Sequence, residues 1–207
     1  RQFVEQEIYG DVRLKLAVAK LKNLFQSKAQ SLLHGDLHSG SVFCTDTSTC
    51  VLDPEFAFYG PAGYDVGNLI GNVVFAIANA RQTIANPAER AAYCRYLAEL
   101  IRDFADGFKT NAMAMLAQST GDPMMTGVGF AEYYVNDVMK DAVGYAGTEI
   151  IRRIIGSAKV KDITCIEAAE KRSRAEVECL TADKQFILTP EAFLNGTAYS
   201  EYFAAEF

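Results

Sequence analysis

Apolar residues recur at helical spacing along most of this 207-residue chain, and the places where that rhythm stops are few and polar. Between residues 11 and 30, Val12, Leu16, Ala19 and Leu24, with Leu21 and Phe25 beside them, mark one face of a helix. Residues 34–41, HGDLHSGS, break the rhythm: they are short, polar and glycine-rich, hence a loop. Val42 to Cys44 and Cys50 to Leu52 then read as two short strands around a turn from Thr45 to Thr49, a small β-hairpin. The hairpin leads into DPEFAFYGP at 53–61, where Gly60, Pro61 and Gly63 argue against any regular element. Beyond it the pattern predicts helices over 65–84, from Pro87 to about Gln118, over about 130–155 and over 164–181, with a loop at Gly121-Asp122-Pro123. Thr189-Pro190-Glu191 predicts another helix start, with threonine as cap and proline at the first position. There is no internal repeat. The expected fold is mainly α with one small β-hairpin, a single helical unit over 1–207 whose chemistry sits in the polar loops around that hairpin.

Composition narrows the classes of partner. The net charge of −6 is the wrong sign for a protein that coats nucleic acid or an anionic membrane. No apolar run reaches the length of a transmembrane helix. The five cysteines are odd in number and form no CxxC, which suits reduced thiols in a cytoplasmic protein. Cys44 and Cys50 flank the predicted turn, so a disulfide between them stays open as an alternative. The chain opens at Arg1, directly in helical pattern, and reads as the second part of a longer protein.

The candidate chemistry is concentrated. The only two histidines, His34 and His38, bracket Asp36, and the predicted hairpin brings Asp53-Pro54-Glu55 beside that loop. Phosphoryl transfer needs such a set: one carboxylate to orient a hydroxyl and take its proton, others to hold magnesium against the phosphates of ATP. Other readings compete. His-x-Asp-x-His also suits a zinc or iron site. Asp53 before Pro54 is a common turn, and Glu55 a common surface charge. Asp65 fits the N-cap of the next helix. Phe56, Phe58, Tyr59 and Tyr64 read as packing. Arg152 and Arg153 lie opposite an apolar face made by Ile150, Ile151, Ile154 and Ile155, near a helix C-terminus that favours cations on its own account. Cys44 has no spare histidine to activate it as a nucleophile.

HGDLHSGS, a hairpin and then VLDPEFAFYGPAGYDVGN resemble the catalytic and metal loops of the aminoglycoside phosphotransferase/choline kinase-like superfamily, which shares the bilobal protein-kinase fold. DPEFAFYGP with the following Tyr-Asp-Val-Gly, together with EIIRRIIGSAKVKDI at 149–163, resembles the 5-methylthioribose kinase family in particular. The resemblance runs over about 34–163 and implies that residues 1–207 form the C-terminal lobe, the N-terminal lobe lying outside this chain. It implies Asp36 as the catalytic base that binds the substrate hydroxyl. Asp53, Pro54 and Glu55 fall on the ATP side, with Asp53 and Glu55 as magnesium ligands. Arg152 and Arg153 fall on the sugar, in the helix end 149–156. His34 and Asp65 fall on the bracing of the loop. Ser41 stands where protein kinases carry a metal-binding asparagine. The 5-methylthioribose kinases share that departure, and Glu55 is the expected replacement. The implied activity is transfer of the ATP γ-phosphate to the anomeric 1-hydroxyl of 5-methylthioribose in methionine salvage, in a cytoplasmic homodimer with ATP as co-substrate. The alternatives are a related kinase for an aminoglycoside, choline or homoserine, and a catalytically silent lobe. The glycine-rich loop and ATP-anchoring lysine of the N-terminal lobe are not in this sequence, so the lobe alone is expected to be inactive.

Overall fold

A computed structural model of the chain describes residues 2–119, 121–127 and 129–204. After a π-helical segment, Val4–Tyr9, helix α1 (Val12–Ser27) starts where the Asp11 carboxylate accepts hydrogen bonds from the Arg13 and Leu14 amides at 2.9 and 3.1 Å. It stops at Lys28, which turns to extended backbone. The segment between α1 and the helical core then carries four three-residue strands: β1 (Ser31–Leu33), β2 (Val42–Cys44), β3 (Thr49–Val51) and β4 (Phe58–Gly60). β2 and β3 form the predicted hairpin, one residue earlier on its second strand than expected.

One expectation falls short here and one alternative is removed. Where one hairpin was predicted there are two antiparallel sheets, because β1 also pairs with β4, Ser31 opposite Gly60 and Leu33 opposite Phe58. Pro61 lies just past the pairing, so its missing N–H costs the ladder nothing. The disulfide alternative also fails. Cys44 and Cys50 are free thiols, and the register sets Phe43 against Cys50 and Cys44 against Thr49. Alternation along a strand therefore sends the two sulfurs to opposite faces.

The rest is helical: α2 (Gly63–Thr83), α3 (Pro87–Ser119), α4 (Phe130–Ile154), α5 (Lys161–Thr164), α6 (Ala169–Leu188) and α7 (Gly196–Ala204). The centre is α2 on α4. A Cβ on Gly63 would come within 2.5 Å of the Val138 carbonyl oxygen, and one on Gly67 within 2.4 Å of that of Ala142, so only glycine lets the two backbones come this close. α6 and α3 flank the pair, and α7 closes over α3. Ile70, Phe75, Ile77, Met139, Ile150, Phe186 and Tyr199 are the buried heart of it.

The C-terminal third differs from the predicted boundaries. The helix predicted over 164–181 runs over Ala169–Leu188 instead. Short α5 ends at Thr164, and buried Ile163 and Ile166 hold the intervening link against the core. Thr189 and Pro190 hold the expected positions at the start of an element, but it is only a 3-10 turn, Pro190–Phe193, and the Thr189 side chain does not cap it: its hydroxyl donates back to the Gln185 carbonyl at 2.8 Å. α7 is capped by Asn195, whose Oδ1 accepts the Ala198 amide at 3.0 Å, and the Asp106 carboxylate accepts the Gly196 amide at 2.7 Å. Among the described residues no helix is long and apolar enough to cross a membrane.

Candidate active site

β1 delivers the His34–Ser41 loop, which meets the start of α2 at Asp65, and β3 and β4 enclose the Asp53–Glu55 loop. Asp65 lies in the first turn of α2, two residues inside its start, so it is not the N-cap. Its buried carboxylate turns to the loop instead and accepts the His34 amide at 2.6 Å and the Gly35 amide at 3.1 Å. Charged acceptors make the stronger hydrogen bonds to backbone, so this one side chain defines the course of the loop. Gly35 has φ +88°, and a Cβ there would sit 2.3 Å from the Phe56 carbonyl oxygen, which ties the two loops sterically as well.

His34 completes the tie. Its Nδ1 accepts the Asp36 amide at 3.3 Å, so Nε2 carries the proton and donates to the Leu52 carbonyl at 2.8 Å. Both ring nitrogens are engaged by backbone, which removes His-x-Asp-x-His as a zinc or iron trio. His38 turns back on its own segment: Nδ1 accepts the Gly40 amide at 3.1 Å, and Nε2 lies 3.4 Å from Ser41 Oγ and 3.8 Å from Asp36 Oδ2.

Asp36 is half-exposed, and its other oxygen faces α4. Oδ1 lies 3.5 Å from Arg153 Nη2 and 3.8 Å from Arg152 Nη2. Two residues read as far apart in sequence as the loop and the helix end thus meet around one carboxylate. Arg153 is largely buried and Arg152 half-exposed, yet both are tied to the protein. Each donates its Nε to a different oxygen of Glu149, at 2.8 Å for Arg152 and 2.7 Å for Arg153, and the Glu149 side chain is only 2% exposed. Burial disfavours the charge on Arg152, but its hydrogen bond to Glu149 and the negative charge there outweigh this and raise its pKa.

Asp53, Pro54 and Glu55 are exposed on the adjoining loop. Asp53 is the one non-glycine residue with positive φ, +67°, among the described residues. A left-handed conformation costs about 1 kcal/mol at such a residue and persists only where the surroundings impose it. No cation pairs with either carboxylate among the described residues, and magnesium takes one or two carboxylates and leaves its other positions to phosphate and water. Asp53 and Glu55 are oxygen donors of the kind such an ion takes.

Two parts of the site escaped the sequence reading. Glu149 had a signal in hindsight, an acid three and four residues before two arginines on one helix. Lys28 had none. At the end of α1 its ammonium meets Asp141 at 2.6 Å and Asp137 at 3.0 Å, pinning the segment that leads into the loop onto α4. Burial pushes the Asp141 carboxyl up, and Lys28 pulls it back only in part.

The phosphotransferase enzyme family model (APH) matches residues 4–108, half of the chain. The chain belongs to this phosphotransferase family. The matched span holds both loops and Asp65. Relatives extend the likeness to α4. The methylthioribose kinase of Pectobacterium carotovorum subsp. carotovorum (strain PC1) is 40% identical over 183 residues, 88% of this chain and 46% of its own length. The methylthioribose kinases of Yersinia pseudotuberculosis serotype IB and Yersinia enterocolitica serotype O:8 are 38% and 39% identical over 178 residues, 86% of this chain and 44% of theirs. The chain therefore spans about half the length of the curated relatives it matches. Its helical build with two small antiparallel sheets is that of the family's C-terminal lobe.

Proposed function

We propose that the protein to which this lobe belongs transfers the γ-phosphate of ATP to the 1-hydroxyl of 5-methylthioribose. The observation that carries the reading is the convergence of Arg152 and Arg153 on Asp36, a carboxylate flanked by two guanidinium groups, in a chain similar to methylthioribose kinases. Asp36 accepts a hydrogen bond from the sugar hydroxyl and takes its proton as the oxygen attacks the γ-phosphorus. The bond from that phosphorus to the β,γ-bridging oxygen breaks, and its electron pair leaves with ADP. The arginines orient the sugar, and His34 and Asp65 keep the loop in shape for it. Asp53 and Glu55 would hold magnesium, which would supply charge neutralisation on the phosphates.

The other half of the ATP site comes from an N-terminal lobe. Leu32, Phe43, Val51, Leu52, Phe56 and Tyr59 are exposed large apolar side chains of the strand and loop segment, where a second lobe would cover them. Methionine salvage, a cytoplasmic location and a homodimer belong to the same reading.

The test is ADP release by the full-length protein over a panel of alcohols. Turnover of methylthioribose with little on choline, homoserine or an aminoglycoside is the expected result. Turnover of one of these without methylthioribose overturns the substrate. A native protein no longer than this chain overturns the two-lobe reading.

A further inference from the structure

Arg152 and Arg153 are consecutive, so on a helix their side chains leave the axis about 100° apart, and their like charges repel. Here they converge on one oxygen of Asp36. The cause lies one turn back. Glu149 is three residues before one arginine and four before the other, within reach of both. It cannot drift away, because it packs on α2, where a Cβ added to Gly71 would lie 3.5 Å from its Cγ.

The distances show how the two carboxylates divide the arginines. Contacts to Glu149 at 2.7 and 2.8 Å are charge-assisted hydrogen bonds, while those to Asp36 at 3.5 and 3.8 Å are loose ion pairs. Each guanidinium thus has its Nε fixed inside the protein and an Nη2 aimed outward. Asp36 Oδ2 lies 3.8 Å from His38 Nε2.

We propose that Glu149 is a positioning residue for the phosphoryl transfer: it takes one guanidinium on each oxygen and so keeps the arginine pair from closing on Asp36 with short hydrogen bonds, which leaves the Asp36 carboxylate able to accept from the acceptor hydroxyl. The inference rests on the reading of Asp36 as base. Without the anionic anchor, Asp36 is the carboxylate to which both arginines turn, and they close on it with the short hydrogen bonds they made to Glu149. The base is then masked by the groups meant to serve it.

The experiment uses the full-length enzyme and Glu149→Gln, which keeps shape and loses charge. Expected are a kcat lowered roughly a hundredfold and an acceptor KM raised roughly tenfold, with the KM for ATP unchanged. The distinguishing measurement adds Arg152→Ala in both backgrounds. In the wild type it lowers kcat/KM; with Glu149→Gln it removes one masking cation and raises kcat above that of the single variant. A lower melting temperature with both KM values unchanged and no such reversal overturns the proposal. If Glu149→Gln does not fold, Glu149→Asp keeps the charge and shortens the reach, and an unaltered acceptor KM there overturns it equally. Wild-type enzyme that phosphorylates another alcohol but not methylthioribose sinks the substrate reading alone, since the same comparison then runs with that alcohol. Wild-type enzyme without any phosphotransfer sinks both.

Discussion

The strand and loop segment from Ser31 to Gly60 and the helical body behind it are built by different forces. In the body, Ile70, Phe75, Ile77 and Met139 are fully buried and two helices touch backbone to backbone at Gly63 and Gly67. In the segment, strands are three residues long and Phe43 and Tyr59 are 60% and 69% exposed. The segment holds its shape by polar ties that mostly come from the body: Asp65 to the His34 and Gly35 amides, Lys28 to Asp141, the arginines towards Asp36. The lesson is a division of labour. Apolar packing makes the body rigid, and a few charged groups projecting from it impose geometry on a loop that cannot bury enough surface to fix itself.

The division can be broken from either side. Asp36→Asn is the largest expected effect, a loss of about a thousandfold in ADP release by the full-length enzyme, with only a small change in melting temperature because its ion pairs to the arginines are loose and partly exposed. Phe75→Ala does the reverse: about 3–5 kcal/mol of stability lost in urea unfolding, through a cavity in the body. Asp65→Asn cuts the link between the halves. It weakens the acceptor for two loop amides, and about 2 kcal/mol of stability and most of the activity should go together.

Asp183 tests the body alone. It is fully buried in α6, neither carboxylate oxygen has a hydrogen-bond partner among the described residues, and burial pushes its pKa up to about 8, with Lys184 pulling weakly the other way. The folded value lies above the unfolded value of 3.8, so the native state holds this proton more tightly. Its contribution to stability is therefore complete below about pH 4 and is lost as pH rises to about 8. Asp183→Asn should melt higher than wild type at pH 8, by about 5 °C, with the gap narrowing as pH falls towards 4, read by calorimetry. The smallest effect is Tyr59→Ser. On this lobe it should change stability by less than about 0.5 kcal/mol, because the ring is exposed. A large loss there would mean the segment is packed after all.

Much of the body was legible from periodicity. The helices of α1 to α4 lie within a few residues of their predicted places, because a face that must be buried repeats every turn whatever it packs against. The site loops were legible from residue type, since His34, Asp36, Asp53 and Asp65 sit in a motif with few other uses. Less visible was anything set by a distant partner. β1 and β4 pair across 24 intervening residues, and three-residue strands leave too little alternation to read. Asp65 passes for a cap until the loop it binds is in place. Asp183 looks like one more polar position on a charged helix until α4 closes over it.

By itself, then, the sequence determined the helical lobe, the hairpin and the identity of the groups around the site, because these follow from local spacing and from chemistry carried in short motifs. The tertiary structure decided which of those groups meet. That Arg152 and Arg153 turn to Asp36, that Glu149 stands behind them and that Asp65 holds the loop all depend on how closely α4 packs on α2, and that approach is set by glycines whose partners lie more than seventy residues away.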